Sequence, residues 1–300
     1  MKLFIFGLGY SAAFFARRQI GRRHEVRGTV RSREKAEALA AAGIVARIFS
    51  GGERDGEIES DIADSEALLI SVPPDDGGDP VLRAYKEQIV TAKNLRWIGY
   101  LSTIGVYGDH RGRWVDENTP ANPMNERSRS RAKVESDWLS LTTKTNAATH
   151  VFRLAGIYGP GQNQLVQIAR GTARRLIKPD QVFNRIHTED IARVLEASIA
   201  KPRHGAIYNV TDNEPAPPQD VVNFAAQLCG VPPPPEVKIE DAALTPMGRS
   251  FYEENKRVRN KLIQGELGVT LAYPTYREGL SALKTTGDGI ANAGKVDRLG

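Results

Sequence analysis

Short, nearly continuous apolar runs alternate along this chain with segments in which apolar residues recur at helical spacing. A run that is apolar throughout indicates a strand buried on both faces, as in a parallel sheet covered by helices. The pattern therefore predicts a doubly wound α/β fold. The predicted strands span residues 2–6, 25–30, 44–49, 67–72, 97–103, 149–155 and 206–210.

Helices are predicted between these strands, at residues 12–20, 33–42, 80–92, 126–141 and 220–229. Thr188 is the expected N-cap of a further helix, because Glu189 and Asp190 would occupy its first turn. A final short helix is predicted within residues 260–268.

Changes in composition and in the pattern of predicted elements along the chain suggest two structural units. We expect residues 1–160 to form a dinucleotide-binding core, to whose sheet residues 185–212 return. Proline-rich stretches at 215–218 and 232–235 favour a smaller C-terminal substrate lobe, made of residues 161–184 and 213–284. The glycine-rich tail, 285–300, is predicted to be mobile.

The first predicted strand ends in a glycine turn, FGLGYSA. Gly7 allows a sharp turn, Gly9 allows close approach of a pyrophosphate, and Ala12 stands where helix and strand pack closely. A helix N-terminus following such a turn offers free N–H groups to phosphates. With its strand, helix and second strand, this segment predicts a Rossmann-type nucleotide site.

Arg31 and Arg33 follow the second strand, where many dinucleotide-binding chains place an acid. An acid there accepts a hydrogen bond from a ribose hydroxyl, whereas arginine pairs with a phosphate. We therefore predict NADP as the cofactor, with NAD as the alternative.

The amino-acid composition narrows the classes of protein to which this chain can belong. The 300 residues include 40% hydrophobic and 26% charged residues, and no apolar run approaches the roughly 18 residues of a membrane span. Since the glycines interrupt the N-terminal apolar stretch, we interpret it as strand and turn rather than a secretory leader. The lone Cys229 fits a buried core position and a reducing, cytoplasmic setting. Five histidines without ligand spacing give no metal site.

A basic segment, NERSRSRAK, raises the alternative of nucleic-acid binding. The chain carries a net charge of +5, and this segment holds Arg127, Arg129, Arg131 and Lys133. Nucleic-acid surfaces usually interleave such charges with aromatic side chains or a recognisable reading motif, and neither is present. We therefore expect a small-molecule substrate and no nucleic-acid or membrane partner.

Seven strings resemble the extended short-chain dehydrogenase/reductase superfamily, in its NAD-dependent epimerase/dehydratase group. They are FGLGYSA, YLSTIGVYG, VDENTPANP, RLAGIYGPG, RIHTEDIARV, YNV, and KLIQGELG with YREGL, in family order from residue 2 to about 283. The resemblance implies hydride transfer, a homodimer on the long helices, and cofactor contacts. These contacts fall on Gly7, Leu8, Gly9, Tyr10, Ser11, Arg31, Arg33, Val72, Pro73 and Lys133.

The family's chemistry uses a serine or threonine, followed by a tyrosine and a lysine four residues apart on a helix. Thr103 matches the hydroxyl position and Lys133 the lysine, whereas Arg129 stands at the tyrosine position. A guanidinium stays protonated and cannot exchange a proton as tyrosine does, but it can hold a carboxylate or phosphate.

Three accounts of the missing tyrosine remain open. Tyr107, Tyr158 or His187 supplies the proton; or Lys133 acts with Thr103 directly; or the protein binds NADP and regulates without turnover. Substrate contacts are expected from Arg129, Tyr158 and Arg185.

Overall fold

The computed structural model describes residues 1–289. Seven strands form one parallel sheet. They are β1 (Lys2–Phe6), β2 (Glu25–Val30), β3 (Val45–Ile48), β4 (Ala67–Ile70), β5 (Trp97–Thr103), β7 (Ala148–Leu154) and β11 (Ala206–Val210). Their order across the sheet is β11-β7-β5-β4-β1-β2-β3. The predicted doubly wound α/β fold is confirmed.

Helices connect the strands; some cover the two faces of the sheet, and others belong to the smaller elements at its end. They are α1 (Tyr10–Gly21), α2 (Arg33–Ala40), α3 (Gly56–Asp64), α4 (Pro80–Thr91), α5 (Glu126–Leu139), α6 (Gln164–Ala169), α7 (Thr188–Ala200), α8 (Pro218–Cys229), α9 (Pro246–Glu253), α10 (Lys261–Gly265) and α11 (Tyr276–Thr285).

Strand β1 shows why its sequence is apolar throughout. Successive side chains of a strand point to opposite faces. Leu3 and Ile5 enter the core on one side, with Phe15 of α1, and Phe4 and Phe6 enter the core on the other. Both faces are thus sealed, and function is confined to the ends of the strands.

The order of the strands places that functional end. Strand β1 pairs with β2 on one side and β4 on the other, all parallel. The chain leaves β1 and β4 in opposite directions across the sheet, which makes their carboxyl ends the topological switch point where open α/β sheets bind ligands.

A smaller set of elements lies over this end of the sheet. Its strands form parallel pairs, β8 (Gly156–Tyr158) with β10 (Arg185–His187), β9 (Arg175–Ile177) with β12 (Glu236–Lys238), and β6 (Trp114–Val115) with β13 (Arg257–Val258). Leu165, Val221, Tyr276 and Leu280 form their own buried cluster. Strand β11 joins the large sheet beside β7.

Some local details differ from the prediction. His187, not Thr188, is the N-cap of α7, and its Nδ1 accepts a hydrogen bond from the Glu189 N–H at 3.1 Å. Helices α3, α6, α9 and α11 were not predicted; in α3 only Ile58, Asp61 and Ile62 are buried, a pattern too sparse to detect. Residues 290–300 of the predicted mobile tail lie outside the described residues. Within 1–289, no helix combines the length and apolarity needed to cross a membrane.

Candidate functional site

A cleft of about 1200 Å³ opens at the carboxyl edge of the sheet, between the sheet and the smaller elements. Tyr10, Ser71 and Thr103 line it from the sheet side, and Tyr158 and Arg185 from the opposite side. The ends of β1, β4 and β5 and the smaller elements therefore converge on one site.

The glycine turn leaves open the N-terminus of α1. Gly7 has a φ of +85°, and its N–H donates to Thr29 Oγ1 at 2.9 Å. Gly9 is the N-cap without a side-chain cap, and a Cβ placed on it would meet no atom within 4 Å. The helix start thus presents free N–H groups to open space, which suits a pyrophosphate.

Arg31 and Arg33 are exposed just beyond β2. Two other arginines of this region are engaged: Arg27 and Arg47 both pair with the buried Asp61. In the described chain, Arg31 and Arg33 have no carboxylate within ion-pair distance. They are therefore available to a phosphate group.

The positive charge here extends to Lys35. Its pKa is lowered by partial burial and by the nearby charge of Arg31. Ser32 caps α2, accepting from the Lys35 N–H. An anion at this point would be attracted by both side chains and by a helix start.

The other predicted cofactor residues take different positions. Val72 packs against the turn, since a Cβ on Gly7 would lie 2.9 Å from its Cγ2, and Pro73 is exposed. Ser11 is buried and lines the cleft. The Leu8 side chain is fully buried in the core, so only its backbone faces the turn.

Tyr10 bridges the two sides of the cleft. Its hydroxyl donates to the backbone oxygen of Pro160 at 3.1 Å, and a Cβ on Gly159 would lie 2.6 Å from that hydroxyl. The glycine turn is thereby fixed to the segment that follows β8.

The inner face of α5 carries Arg127, Ser128 and Arg131, all lining the cleft. Nη1 of Arg131 donates to the backbone oxygen of Leu101 at 2.7 Å. A Cβ on Gly105 would lie 2.9 Å from Ser128 Oγ. This face therefore packs on the end of β5, beside Thr103.

The outer face of α5 carries Arg129 and Lys133, whose side chains are 52% and 73% exposed. Arg129 pairs with Glu126, and Lys133 pairs with Asp137. Neither lines the cleft. The structure thus does not bring the predicted Arg129 and Lys133 to Thr103.

The reason is helical geometry. Residues two positions apart on a helix point about 200° away from each other. The segment RSRSRAK contains the four-residue spacing twice, at 127 and 131 and at 129 and 133. The lysine at 133 matched the family residue type, but the residues that enter the cleft are Arg127 and Arg131.

Thr103 ends β5 at the cleft. Its Oγ1 accepts a hydrogen bond from the Gly105 N–H at 3.1 Å, and it caps the short 3-10 helix of residues 104–107. Among residues 1–289 its hydroxyl hydrogen has no acceptor. It remains available to an oxygen bound in the cleft.

The three expected proton donors are placed unequally. Tyr107 is fully buried, and its hydroxyl donates to Asn209 at 2.8 Å. His187 is also buried, and burial lowers its pKa to about 4. Tyr158 alone among the three lines the cleft, although burial raises the pKa of its hydroxyl.

A buried ion pair, unforeseen in the sequence, holds α5 against the sheet. Glu135 and Arg153 form a bidentate pair with a shortest distance of 2.7 Å, and the Ser102 hydroxyl donates to Glu135 at 2.5 Å. Glu135 follows Arg131 by four residues, about one helical turn, so the sequence did contain a signal that these two residues share the inner face of α5. No group of three or more metal-ligating side chains occurs in residues 1–289.

Comparisons with solved structures agree with this architecture. A conserved protein of unknown function from Silicibacter pomeroyi is 50% identical, with a TM-score of 0.86, over 95% of this chain and 98% of that one. A protein assigned as an NAD-dependent epimerase/dehydratase from Methylobacillus flagellatus is 26% identical, with a TM-score of 0.69, over the same shares.

A more distant structure shares the fold. It is the dTDP-glucose 4,6-dehydratase from Bacillus anthracis in complex with NAD, 17% identical with a TM-score of 0.75, over 96% of this chain and 97% of that one. No protein-family model and no curated protein matches the chain. From its near full-length structural matches, the chain belongs to the extended short-chain dehydrogenase/reductase superfamily, in the NAD-dependent epimerase/dehydratase group.

Proposed function

We propose that this protein is an NADP-dependent oxidoreductase or epimerase-like enzyme that acts on a small polar metabolite. The observation that carries the proposal is the pairing of an open, uncapped α1 N-terminus with two unpaired arginines after β2. Residues 1–160 and β11 would hold the cofactor, and the smaller lobe would close over the substrate.

The glycine turn would bind the pyrophosphate through backbone N–H groups. Arg31 and Arg33 would hold the ribose 2′-phosphate through charge-assisted hydrogen bonds. When bound, the nicotinamide supplies or accepts a hydride.

Thr103 would orient the substrate. Its unused hydroxyl hydrogen would donate to the oxygen on the reacting carbon, while its Oγ1 stays fixed by the Gly105 N–H. Arg131, tied to Leu101, would take the positioning role that the family gives to lysine. Tyr158 is the proposed proton carrier, as the one candidate of the three that lines the cleft.

A second candidate function rests on the same helix. Arginines at both inner positions of α5 cannot exchange a proton with an alcohol at any working pH. This favours, as the alternative, an NADP-responsive binding protein without turnover.

Cofactor choice is testable by calorimetric titration with NADPH and NADH. Loss of a charge-assisted phosphate contact is worth about 1.5–3 kcal/mol, so Arg31→Ser should weaken NADPH binding by about 10- to 100-fold and leave NADH unchanged. Lys144→Ser is the charge-matched control, because Lys144 is exposed before β7, which lies four strands away from β2 in the sheet. Tighter binding of NADH than NADPH by the native protein would refute the assignment.

Turnover is tested separately with NADPH deuterated at C4 and a metabolite panel. Transfer of the label, lost in Tyr158→Phe, supports the enzyme. Transfer that is unchanged in Tyr158→Phe removes this tyrosine from the mechanism.

A further inference from the structure

The cleft has an unusual balance of charge for a site that would take a neutral metabolite. Five basic side chains line it, and Glu254 is the one acidic side chain among the described lining residues. Glu254 is already paired with Lys256 at 2.6 Å. The uncompensated cations are Arg127, Arg131, Arg174 and Arg185.

Arg185 is the most constrained of these cations. It is half-buried in the cleft wall, and its Nη1 donates to the backbone oxygens of Phe183 and Ala216 at 3.0 and 3.1 Å. These neutral acceptors orient the guanidinium without cancelling its charge. Burial lowers its pKa, so the surroundings disfavour the cation unless an anion joins it.

Asp212 is an acid near Arg185, but it does not form an ion pair with it. Its carboxyl group is fully buried, and it accepts from the Glu214 N–H at 3.1 Å. Burial raises the pKa of Asp212 to about 8. At neutral pH this group is mainly uncharged, and Arg185 keeps a net positive charge toward the cleft.

Arg127 lines the same cleft from α5. It is exposed at the rim, in the first turn of α5, and its nearest polar contact is Met247 Sδ at 4.0 Å. In the described chain no carboxylate lies within ion-pair distance of it. Its fork of donors is therefore available to a ligand.

Register relates Thr103 to Arg185. Thr103 is opposite Leu154 in the β5–β7 pairing, and Gly156, two residues further on, is opposite Arg185. Arg127 lines the same cleft from α5, whose next residue, Ser128, lies close to the end of β5. A molecule whose oxygen meets Thr103 therefore shares the cleft with two free guanidinium groups.

We propose that the substrate of this cleft is a small dianion, with two separate carboxylate or phosphate groups bound by Arg127 and Arg185 on either side of the carbon held at Thr103. The proposal rests on the proposed function, which it deepens. Planar guanidinium forks match both carboxylate and phosphate geometry.

The test is calorimetry on the protein saturated with NADPH, at 0.15 M salt to suppress nonspecific attraction. The probes are succinate and glutarate as dicarboxylates, 3-phosphoglycerate as a molecule with one carboxylate and one phosphate, and butyrate and glycerol 3-phosphate as molecules with one anionic group. We expect at least one probe with two anionic groups to bind 10-fold or more tightly than both probes with one. Whether 3-phosphoglycerate or a dicarboxylate binds best distinguishes the two chemical sources.

Substitutions test whether Arg127 and Arg185 make the contacts to the two anionic groups. Arg127→Met and Arg185→Met should each reduce dianion binding at least 10-fold, and Arg129→Met, on the outer face of the same helix, should stay within about twofold. Arg185→Lys keeps the charge and guards against loss of fold; it should bind less tightly than the native protein but better than Arg185→Met.

Three outcomes overturn the proposal: no preference for two anions, equal loss in Arg129→Met and Arg127→Met, or binding of dTDP 10-fold tighter than of every probe, which would indicate a diphosphate site. The affinity of the native protein for NADPH distinguishes failure of the proposed function from failure of this inference. If the native protein does not bind NADPH, the proposed function fails; if it binds NADPH but no dianion, this inference alone fails.

Discussion

The two faces of α5 carry the same chemistry and have different surroundings. Arg127 and Arg131 face the cleft, and Arg129 and Lys133 face solvent with carboxylate partners on their own helix. Residue type and spacing are therefore insufficient to identify a site on a helix. What distinguishes the faces is which one the rest of the helix buries, and here Val134, Glu135 and Trp138 determine that.

The largest expected difference concerns the ion pairs of the two faces. Glu135→Gln leaves Arg153 buried without its partner, which should destabilise the protein by about 3–5 kcal/mol. Glu126→Gln removes only an exposed pair with Arg129, and should change stability by less than about 0.5 kcal/mol. Urea unfolding of both variants measures the difference; equal losses would mean that the inner face is not buried as described.

Acid should destabilise the other face of the sheet, which buries a neutral histidine. His150 is on β7, where it stacks beside Phe152 on the face opposite Arg153. Its Nδ1 interacts with the Ile98 oxygen, and its Nε2 accepts from the Arg203 N–H. Burial lowers its pKa from 6.5 to about 4. As the pH falls, this histidine is protonated first in the unfolded chain. The stability that neutral His150 contributes is therefore fully present above pH 6.5, and about 3 kcal/mol of it is lost between pH 6.5 and 4.

This prediction has an internal control. His187 contributes in the same direction, because its pKa is also held at about 4. In His150→Gln the loss between pH 6.5 and 4 should be about 3 kcal/mol smaller than in the native protein, whereas in His204→Gln, at an exposed position, it should equal that of the native protein. An unchanged acid loss in His150→Gln would contradict the assignment. Comparisons between the two faces of α5 are therefore best made above pH 7.

Replacing the basic residues of the two faces should give the smallest difference in protein stability. Arg131→Met loses the hydrogen bond to Leu101 and the contact with Tyr100, about 1–2 kcal/mol. Lys133→Met loses an exposed i,i+4 pair, less than about 0.5 kcal/mol. Thermal unfolding of the two variants gives the comparison, and a larger loss in Lys133→Met would reverse the assignment of the faces.

The large sheet could be predicted closely from the sequence, because strands buried on both faces leave a continuous apolar signal. Strands β1, β2, β5 and β11 have the predicted bounds. The glycine turn could be predicted equally well, since the spacing of its glycines reflects backbone requirements. The smaller lobe could not be predicted in detail. Its strands of two and three residues and helix α9, which buries no residue fully, show too little hydrophobic periodicity.

The site was predictable where it depends on strand ends and not where it depends on helix rotation. Thr103, Tyr158 and Arg185 reach the cleft. The alternation of arginine and serine in RSRSRAK gave two equivalent registers, which only packing separates. The proton donor and the homodimer stay predictions.

A crystal structure of the protein with NADPH tests the account most directly. We expect the 2′-phosphate within hydrogen-bond distance of Arg31, and the nicotinamide half in the cleft with Arg131 as its neighbour on α5. Contact between the cofactor and Lys133 or Arg129, or a 2′-phosphate that makes no contact with Arg31 or Arg33, would contradict it.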